Sequence, residues 1–115
     1  MSILIGYDEK CSKELESLFK QYLSLSKTFA VRVEALRSMG SYIITAPHFE
    51  KLKEANLYSM RLKTKRPNVR ILFCFNEAMD EAVFLKVFYE KSKRDYRQAT
   101  KVALDRARRY FGEKR

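Results

Sequence analysis

The fold of this chain is decided by two apolar runs, Val69-Arg70-Ile71-Leu72-Phe73-Cys74-Phe75 and Ala82-Val83-Phe84-Leu85-Lys86-Val87-Phe88-Tyr89, which flank the polar segment 76–81. Short runs of β-branched and aromatic residues on either side of turn residues predict a β-hairpin. Neither run alternates between apolar and polar residues, so both faces of these strands are expected to be covered. The hairpin is therefore predicted to lie at the centre of a sheet.

Composition limits the class of protein. A chain of 115 residues with 46% hydrophobic residues is expected to form a single domain over residues 1–115 with a real core. It has no apolar run long enough to span a membrane, and its early acidic residues argue against a signal peptide. With only Cys11, Cys74 and His48 as soft ligands, a disulfide and a zinc site are not expected, and a reducing cytoplasm is the default location.

The positive charge is concentrated in the second half of the chain. The net charge is +10, and the surplus lies almost entirely in residues 61–115, which hold the predicted hairpin and the last helix. Such an asymmetry suits a nucleic acid or an acidic protein partner. A simple solubility bias is the alternative.

The first half of the chain is predicted to form a strand and a helical hairpin. Asp8 or Ser12 is the candidate N-cap of the first helix, and Ser26 is the candidate for the second. Gly40 is the expected stop, although one further helical turn at 42–44 is compatible with the pattern. The predicted ranges are 3–7 for the strand, and 13–23 and 27–39 for the helices.

The second half is predicted to complete an antiparallel sheet and to end in a helix. Residues 49–52 form a weak strand or a connector, whereas 57–63 alternate and predict a half-buried strand with Ser59, Arg61 and Lys63 on a polar face. The predicted turn into the hairpin is Lys65-Arg66-Pro67-Asn68.

The last helix is expected over 95–111, with Asp95 as its N-cap and Gly112 as its stop. Ala99, Val102, Ala103 and Ala107 would lie on or near its buried side. The resulting order, β-α-α-β-β-β-α, is an α+β fold: an antiparallel sheet with an N-terminal helical hairpin and a C-terminal helix.

Several catalytic classes find no support. The chain has no glycine-rich phosphate loop. The lone His48, between Pro47 and Phe49, is interpreted as a loop packing residue. Glu77, Asp80 and Glu81 cluster in a turn, where exposure to solvent is the simplest expectation.

A group of cations with interleaved tyrosines is the positive signal. Adjacent antiparallel strands would bring the cations together at one edge of the sheet. Tyrosines among cations suit RNA, because a tyrosine can stack on a base or move a proton. An acidic partner or a plain solvated surface would explain the same cations. The group comprises Arg61, Lys63, Arg70, Lys91, Lys93 and Arg94, with Tyr89 and Tyr96.

Four short segments also occur in the order and spacing of a known family, followed by the Ala-rich last helix. They are Pro47-His48-Phe49-Glu50-Lys51-Leu52-Lys53, Leu57-Tyr58-Ser59-Met60-Arg61, Val69 to Phe75, and Leu85-Lys86-Val87-Phe88-Tyr89-Glu90-Lys91. On these segments the chain resembles the RelE/HigB-type toxins of bacterial and phage toxin–antitoxin systems, within the RelE/ParE superfamily.

The resemblance implies cleavage of mRNA, usually on the ribosome, by attack of a 2′-hydroxyl on the adjacent phosphate, without a metal or other cofactor. It implies that Arg61 and Arg70 clamp the phosphate. Lys91 would add charge or donate a proton, and Tyr96, with Tyr89 as the substitute, would be the catalytic tyrosine. The flanking RNA would be held by Lys63, Lys93 and Arg94. The implied partners are mRNA, the ribosome and an antitoxin that is either acidic or of the helix-turn-helix type.

The chain departs from the family pattern within these segments. Ser59 stands where the family usually has Glu, Glu90 replaces the first of two lysines, and Val69 replaces an aromatic residue. Lys86-Val87 replaces His-Gly. These departures leave two alternatives open: a ParE-like inhibitor of gyrase, and a basic RNA-binding module without catalytic activity.

Overall fold

The computed structural model describes residues 2–53, 55–63 and 68–113, and over these residues the predicted α+β fold is confirmed. The predicted turn at residues 65–67 lies outside the described residues. The strands are β1 (Leu4–Tyr7), β2 (Phe49–Lys51), β3 (Tyr58–Leu62), β4 (Asn68–Phe75) and β5 (Glu81–Glu90). The helices are α1 (Glu9–Gln21), α2 (Leu23–Met39), a 3-10 helix (Gly40–Thr45) and α3 (Lys93–Glu113).

The strand order in the sheet is β1-β5-β4-β3-β2, so the predicted hairpin β4–β5 is interior as expected. The expectation of an entirely antiparallel sheet is wrong in one place, because β1 pairs with β5 in parallel. Because helices connect β1 to the other strands, β1 can pair with β5 in either a parallel or an antiparallel orientation. The residues of β1 do not indicate which orientation it takes.

The sheet is covered on both faces. Alternate residues of β4 and β5 point to opposite sides: Phe73 and Phe84 pack in the cluster under α1 and α2, while Leu72 and Leu85 pack under α3. A β-bulge interrupts the β4–β5 register at Leu72/Phe73. This double coverage explains why neither apolar run alternates.

The helix boundaries are set by capping groups. Asp8 accepts a hydrogen bond from the Cys11 backbone N–H at 3.0 Å, so α1 begins at Glu9 and not at the predicted residue 13. Ser26 lies inside α2, where its hydroxyl donates to the Leu23 carbonyl, so its predicted role as an N-cap is wrong. Gly40, at φ 57°, ends α2 as predicted.

The start of α3 is a capping box. The Asp95 backbone N–H donates to the Ser92 hydroxyl oxygen, and the Asp95 carboxylate accepts from the Lys91 N–H. Asp95 is therefore in the first turn of a helix that begins at Lys93, and it is not the predicted N-cap. The helix continues through Gly112 to Glu113.

Two predictions about which side chains are buried need correction. Ser59 is fully buried, because β3 is covered on both faces, so β3 does not have the predicted solvated polar side. Val102 is exposed on α3, whereas Ala99 and Ala103 are buried as predicted.

A partly buried cluster of ion pairs connects α3 to α1. Arg106 donates to both Glu14 carboxylate oxygens at 2.9 Å and to the Leu85 carbonyl, and Lys86 donates to Glu14 at 2.8 Å. The Val87 N–H also donates to Glu14. Because β1 pairs only as far as Phe84, this cluster covers the edge of β5 that β1 leaves open.

Candidate active site

Two arginines face each other across neighbouring strands. Arg61 on β3 and Arg70 on β4 are direct partners in the antiparallel register, so their side chains leave the same face of the sheet. Like charges placed opposite each other destabilise a sheet unless something compensates them. The compensation differs between the two residues.

Arg70 is held by two carboxylates. Its Nε donates to Glu90 at 2.6 Å and one of its terminal nitrogens donates to Glu50 at 3.0 Å. Burial opposes the charge of Arg70, but the hydrogen bond to Glu90 and the nearby negative groups together outweigh it, so the pKa of the guanidinium lies above its ordinary value. Arg70 is thus a fixed, fully charged group at the end of the sheet.

Arg61 lacks such carboxylate partners. Its Nε is buried without a hydrogen-bond acceptor, and it forms no salt bridge within the described part of the chain. Its backbone carbonyl accepts a hydrogen bond from Arg32 of α2, which brings a third guanidinium to this end of the sheet. A guanidinium that lines an open cleft and has no carboxylate partner within the described residues is suited to an anion.

Tyr96 completes the group from α3. Its hydroxyl donates to Glu50 at 3.0 Å, and its ring lies 5.4 Å from the Arg70 guanidinium carbon. Burial raises the pKa of the Tyr96 phenol, and the Glu50 carboxylate raises it further, so this tyrosine is a proton donor at neutral pH.

Tyr89, the predicted substitute, lies on the other face of the sheet. It pairs in register with Val69, which belongs to the core under α1 and α2, whereas Arg70 pairs with Phe88. Its hydroxyl is 3.4 Å from Gln21 of α1. Of the two predicted tyrosines, the structure therefore brings only Tyr96 to the arginines.

A cleft of about 200 Å³ opens above the arginine pair, and His48 forms part of its wall. The imidazole is exposed, so the interpretation of His48 as a packing residue is wrong. The other residues that line the cleft are Phe49, Glu50, Arg61 and Arg70.

The remaining predicted cations are exposed and follow the ends of β3 and β5, which pair with the start of β4. Lys63 follows β3, Lys91 follows Glu90 at the end of β5, and Lys93 and Arg94 begin α3. Lys93 also borders a larger groove of about 490 Å³ with an apolar floor, which reaches Glu90 and Tyr96. The cations around this groove are Lys53, Lys93, Arg97 and Lys101.

Sequence reasoning missed Glu50, Arg32 and His48 as members of the site. Glu50 lies on a strand of three residues, too short to show a pattern, and Arg32 reaches β3 from a distant helix. One signal was available for Glu50 and His48: both belong to the first family-like segment, directly before the arginine strands.

The arrangement is equipped for phosphoryl transfer by side chains alone. Guanidinium groups stabilise the charge of a pentavalent phosphorane, a phenol donates a proton, and a carboxylate or an imidazole accepts one. Among the described residues, no three His, Cys, Asp or Glu side chains are grouped to hold a metal ion. The described helices also include none with the length and apolar character needed to cross a membrane.

Sequence comparison identifies the family. The family described as "Phage derived protein Gp49-like (DUF891)" matches residues 14–108. The chain belongs to this Gp49-like family, which is a family of RelE-type toxins. No curated protein matches the chain significantly.

Solved structures show the same fold. A double arginine-to-alanine mutant of Escherichia coli toxin RelE in the free state matches with a TM-score of 0.55 and 18% identity, over 88% of this chain and 97% of that chain. The same mutant in complex with an antitoxin RelBc peptide matches at 0.55 and 20% identity, over 86% and 95%. The RelBE2 toxin–antitoxin complex of Mycobacterium tuberculosis matches at 0.55 and 17%, over 78% and 100%. The resemblance to RelE toxins that the sequence suggested is thereby confirmed for the fold.

Proposed function

We propose that this chain is the toxin of a type II toxin–antitoxin system and acts in the cytoplasm as a metal-independent endoribonuclease that cleaves mRNA on the ribosome. The observation that carries the proposal is the cross-strand pair Arg61 and Arg70, which line one open cleft. The family and the RelE fold support the toxin role.

In the proposed reaction the scissile phosphate lies over the arginine pair. Arg61 binds a non-bridging oxygen through its guanidinium, and Arg70 stabilises the charge that develops on the phosphorane. Tyr96 or Lys91 donates a proton to the leaving 5′-oxygen. Each preorganised hydrogen-bond donor to the phosphorane, such as Arg61 or Arg70, contributes roughly 3–4 kcal/mol to transition-state stabilisation.

The surrounding cations would bind the flanking RNA. Lys63 follows β3, and Lys93 and Arg94 lie at the start of α3, so these cations would meet the RNA on either side of the scissile phosphate. Charges of this kind contribute affinity without sequence preference.

An antitoxin is the proposed protein partner. Two of the structurally similar toxins form complexes with an antitoxin or an antitoxin peptide. A partner of acidic character, including one with a helix-turn-helix domain, would cover the cationic end of the sheet and exclude RNA from it.

Expression in a bacterium, with primer extension on an abundant mRNA, tests the function. We expect growth arrest and new in-frame cleavage ends with the wild type, and neither with Arg61→Ala or Arg70→Ala. Arg108→Ala is the matched control, since Arg108 is exposed on α3 and lies 12 residues beyond Tyr96, about 18 Å along the helix.

Two outcomes would contradict the proposal. Arrest with intact mRNA and a DNA-damage response would indicate the ParE-like inhibition of gyrase. Absence of arrest with a folded wild-type protein would indicate a basic RNA-binding module without catalytic activity.

A further inference from the structure

His48 has a strained backbone that serves the site. Its φ is 75°, in the left-handed region that Gly and Asn tolerate better than most side chains. In this conformation its carbonyl accepts a hydrogen bond from the Arg61 N–H at 2.8 Å, just beyond the last β2–β3 pair. This hydrogen bond fixes the His48 backbone relative to Arg61. A strained residue in a cleft is a reason to look for function.

The charges around the imidazole keep it neutral. Arg32 from α2 is the main cause of a lowered pKa of His48, with smaller contributions from slight burial, Arg61 and Lys63. The other charged groups of the cleft are Glu50 and Arg70, which are hydrogen-bonded to each other. A neutral imidazole at physiological pH is able to accept a proton.

We propose that His48 is the general base of the reaction and takes the proton from the attacking ribose 2′-hydroxyl. This inference rests on the proposed ribonuclease function, to which it adds a residue that the family resemblance did not assign. Its basis is geometric: His48 and the arginine pair line one cleft, so a phosphate over the arginines brings its neighbouring ribose to the cleft wall.

The proposed step is balanced. An imidazole nitrogen of His48 accepts the 2′-hydroxyl proton while the 2′-oxygen forms a bond to phosphorus. The bond from phosphorus to the 5′-oxygen breaks, and the leaving oxygen takes a proton from Tyr96 or Lys91. The products are a 2′,3′-cyclic phosphate and a 5′-hydroxyl, and the imidazolium returns its proton to water.

The test uses two variants that keep the left-handed backbone. His48→Asn retains a polar side chain but is not a base at neutral pH, and His48→Gly leaves space for added imidazole. Single-turnover cleavage of mRNA on purified ribosomes is measured from pH 5.5 to 8.5, with Arg108→Gln as the control variant. Thermal unfolding of each variant verifies that it is folded.

We expect His48→Asn to cleave more slowly by roughly 10²- to 10⁴-fold. The wild-type rate should fall as the pH drops through the pKa of His48, below about 6.5, and this acid limb should be absent from His48→Asn. Added imidazole should accelerate His48→Gly but not Arg70→Ala.

The outcomes separate the two proposals. If the wild type cleaves RNA and His48→Asn cleaves it at nearly the same rate, the role of His48 is overturned and the ribonuclease function stands. An acid limb that persists in His48→Asn, or a His48→Gly variant that imidazole does not accelerate, would also overturn it. A folded wild type that cleaves no RNA would overturn both.

Discussion

At the scale of single residues, the two arginines of the candidate site are in different electrostatic states. Arg70 forms ion pairs with Glu50 and Glu90, whereas Arg61 has no carboxylate partner within the described residues. A phosphate in the cleft would therefore gain most from Arg61. The free protein already supplies Arg70 with anionic partners, and the substrate must compete with them.

This competition predicts the effect of removing the Glu50 charge. Glu50→Gln should tighten the binding of an RNA with a 2′-deoxy scissile nucleotide by about threefold, as is typical for a partly exposed charge. Fluorescence anisotropy of labelled RNA measures this affinity. Glu77→Gln, an acidic residue in the exposed β4–β5 turn, should change it less; an equal effect would mean that only net charge matters.

Gly6 permits a close approach of α3 to β1. A Cβ at Gly6 would lie 2.4 Å from the Tyr110 hydroxyl oxygen and 2.7 Å from a Glu81 carboxylate oxygen, which are hydrogen-bonded to each other. Gly6→Ala should lower the free energy of unfolding by about 1–3 kcal/mol through this overlap. Urea denaturation measures the change.

The control for Gly6 is Gly112, where an added Cβ meets nothing within 4 Å. Gly112→Ala should leave the stability unchanged or raise it by up to about 1 kcal/mol, because Ala favours the helix. Tyr110→Phe should suppress part of the Gly6→Ala loss by removing the overlapping oxygen. Purely additive effects of the two substitutions would refute the proposed overlap.

The sequence predicted the arginines but not the residues around them. Arg61 and Arg70 lie on strands with clear apolar patterns, and antiparallel pairing of neighbouring strands is enough to bring them together. Glu50, His48 and Arg32 lie on a very short strand, in a left-handed turn and on a helix, respectively. Their positions depend on tertiary contacts that no local pattern encodes.

At the scale of elements, the attachment of α3 depends on the pair Arg106 and Glu14. The Arg106 side chain is 10% exposed and lies beside the apolar contact that α3 makes with the sheet through Ala99 and Ala103. Burial disfavours the Glu14 carboxylate, but hydrogen bonds from Arg106, Lys86 and the Val87 N–H outweigh it, so the pKa of Glu14 is below its ordinary value.

Glu14→Gln should therefore destabilise the protein at neutral pH. Losing one partner of a buried pair costs about 3–5 kcal/mol, and we expect about 2 kcal/mol here because Glu14 is partly exposed. Urea denaturation checks this value. Glu16→Gln on the same helix is the control: its exposed pair with Lys20 should contribute less than about 0.5 kcal/mol.

The same substitution predicts a change in pH dependence. A carboxylate with a lowered folded-state pKa stabilises the fold above its unfolded pKa, about 4.3, and this stabilisation disappears as the pH falls through the folded-state value. The wild type should therefore lose more stability than Glu14→Gln on acidification below about pH 5. Denaturation series at pH 3 to 7 measure both curves, and parallel curves would contradict the assignment to Glu14.

The elements were predicted more accurately than their arrangement. Apolar periodicity located β1, β3, β4, β5 and the three α-helices, whereas β2 was predicted only as a weak strand or a connector. Asp8, one of two predicted cap candidates, caps α1. The direction of β1 and the bulge in β5 were not predicted, because both depend on which strand edge remains open after the hairpin forms. Burial of Ser59 was missed for a related reason, since an alternating pattern does not reveal that α3 covers the polar side of β3.

At the scale of the whole molecule, the charge asymmetry is arranged around the candidate site. The surplus of residues 61–115 includes Lys63, Lys91, Lys93 and Arg94 near the cleft. Binding of RNA should therefore weaken steeply with salt, because phosphate contacts release counterions.

The salt dependence identifies which cations contact phosphates. Each of Lys63→Gln and Lys93→Gln should reduce the slope of log K against log salt by about 0.7, the single-strand value per phosphate contact. Anisotropy titrations at several salt concentrations give the slopes. Arg108→Gln removes the same charge at a remote exposed position. If Arg108→Gln changes the slope as much as Lys93→Gln does, the RNA does not bind mainly at the proposed cleft.

The parallel pairing of β1 with β5 has a consequence for the time at which the protein acquires its structure during synthesis. β1 has no strand to pair with until Glu81 to Phe84 have been translated. Arg106, which covers the next part of β5, is translated later still. Long-range pairing of this kind delays folding until distant segments are available. A nascent chain that lacks α3 therefore has an uncovered edge of β5 and no Tyr96, so the candidate site forms only after α3 has been translated.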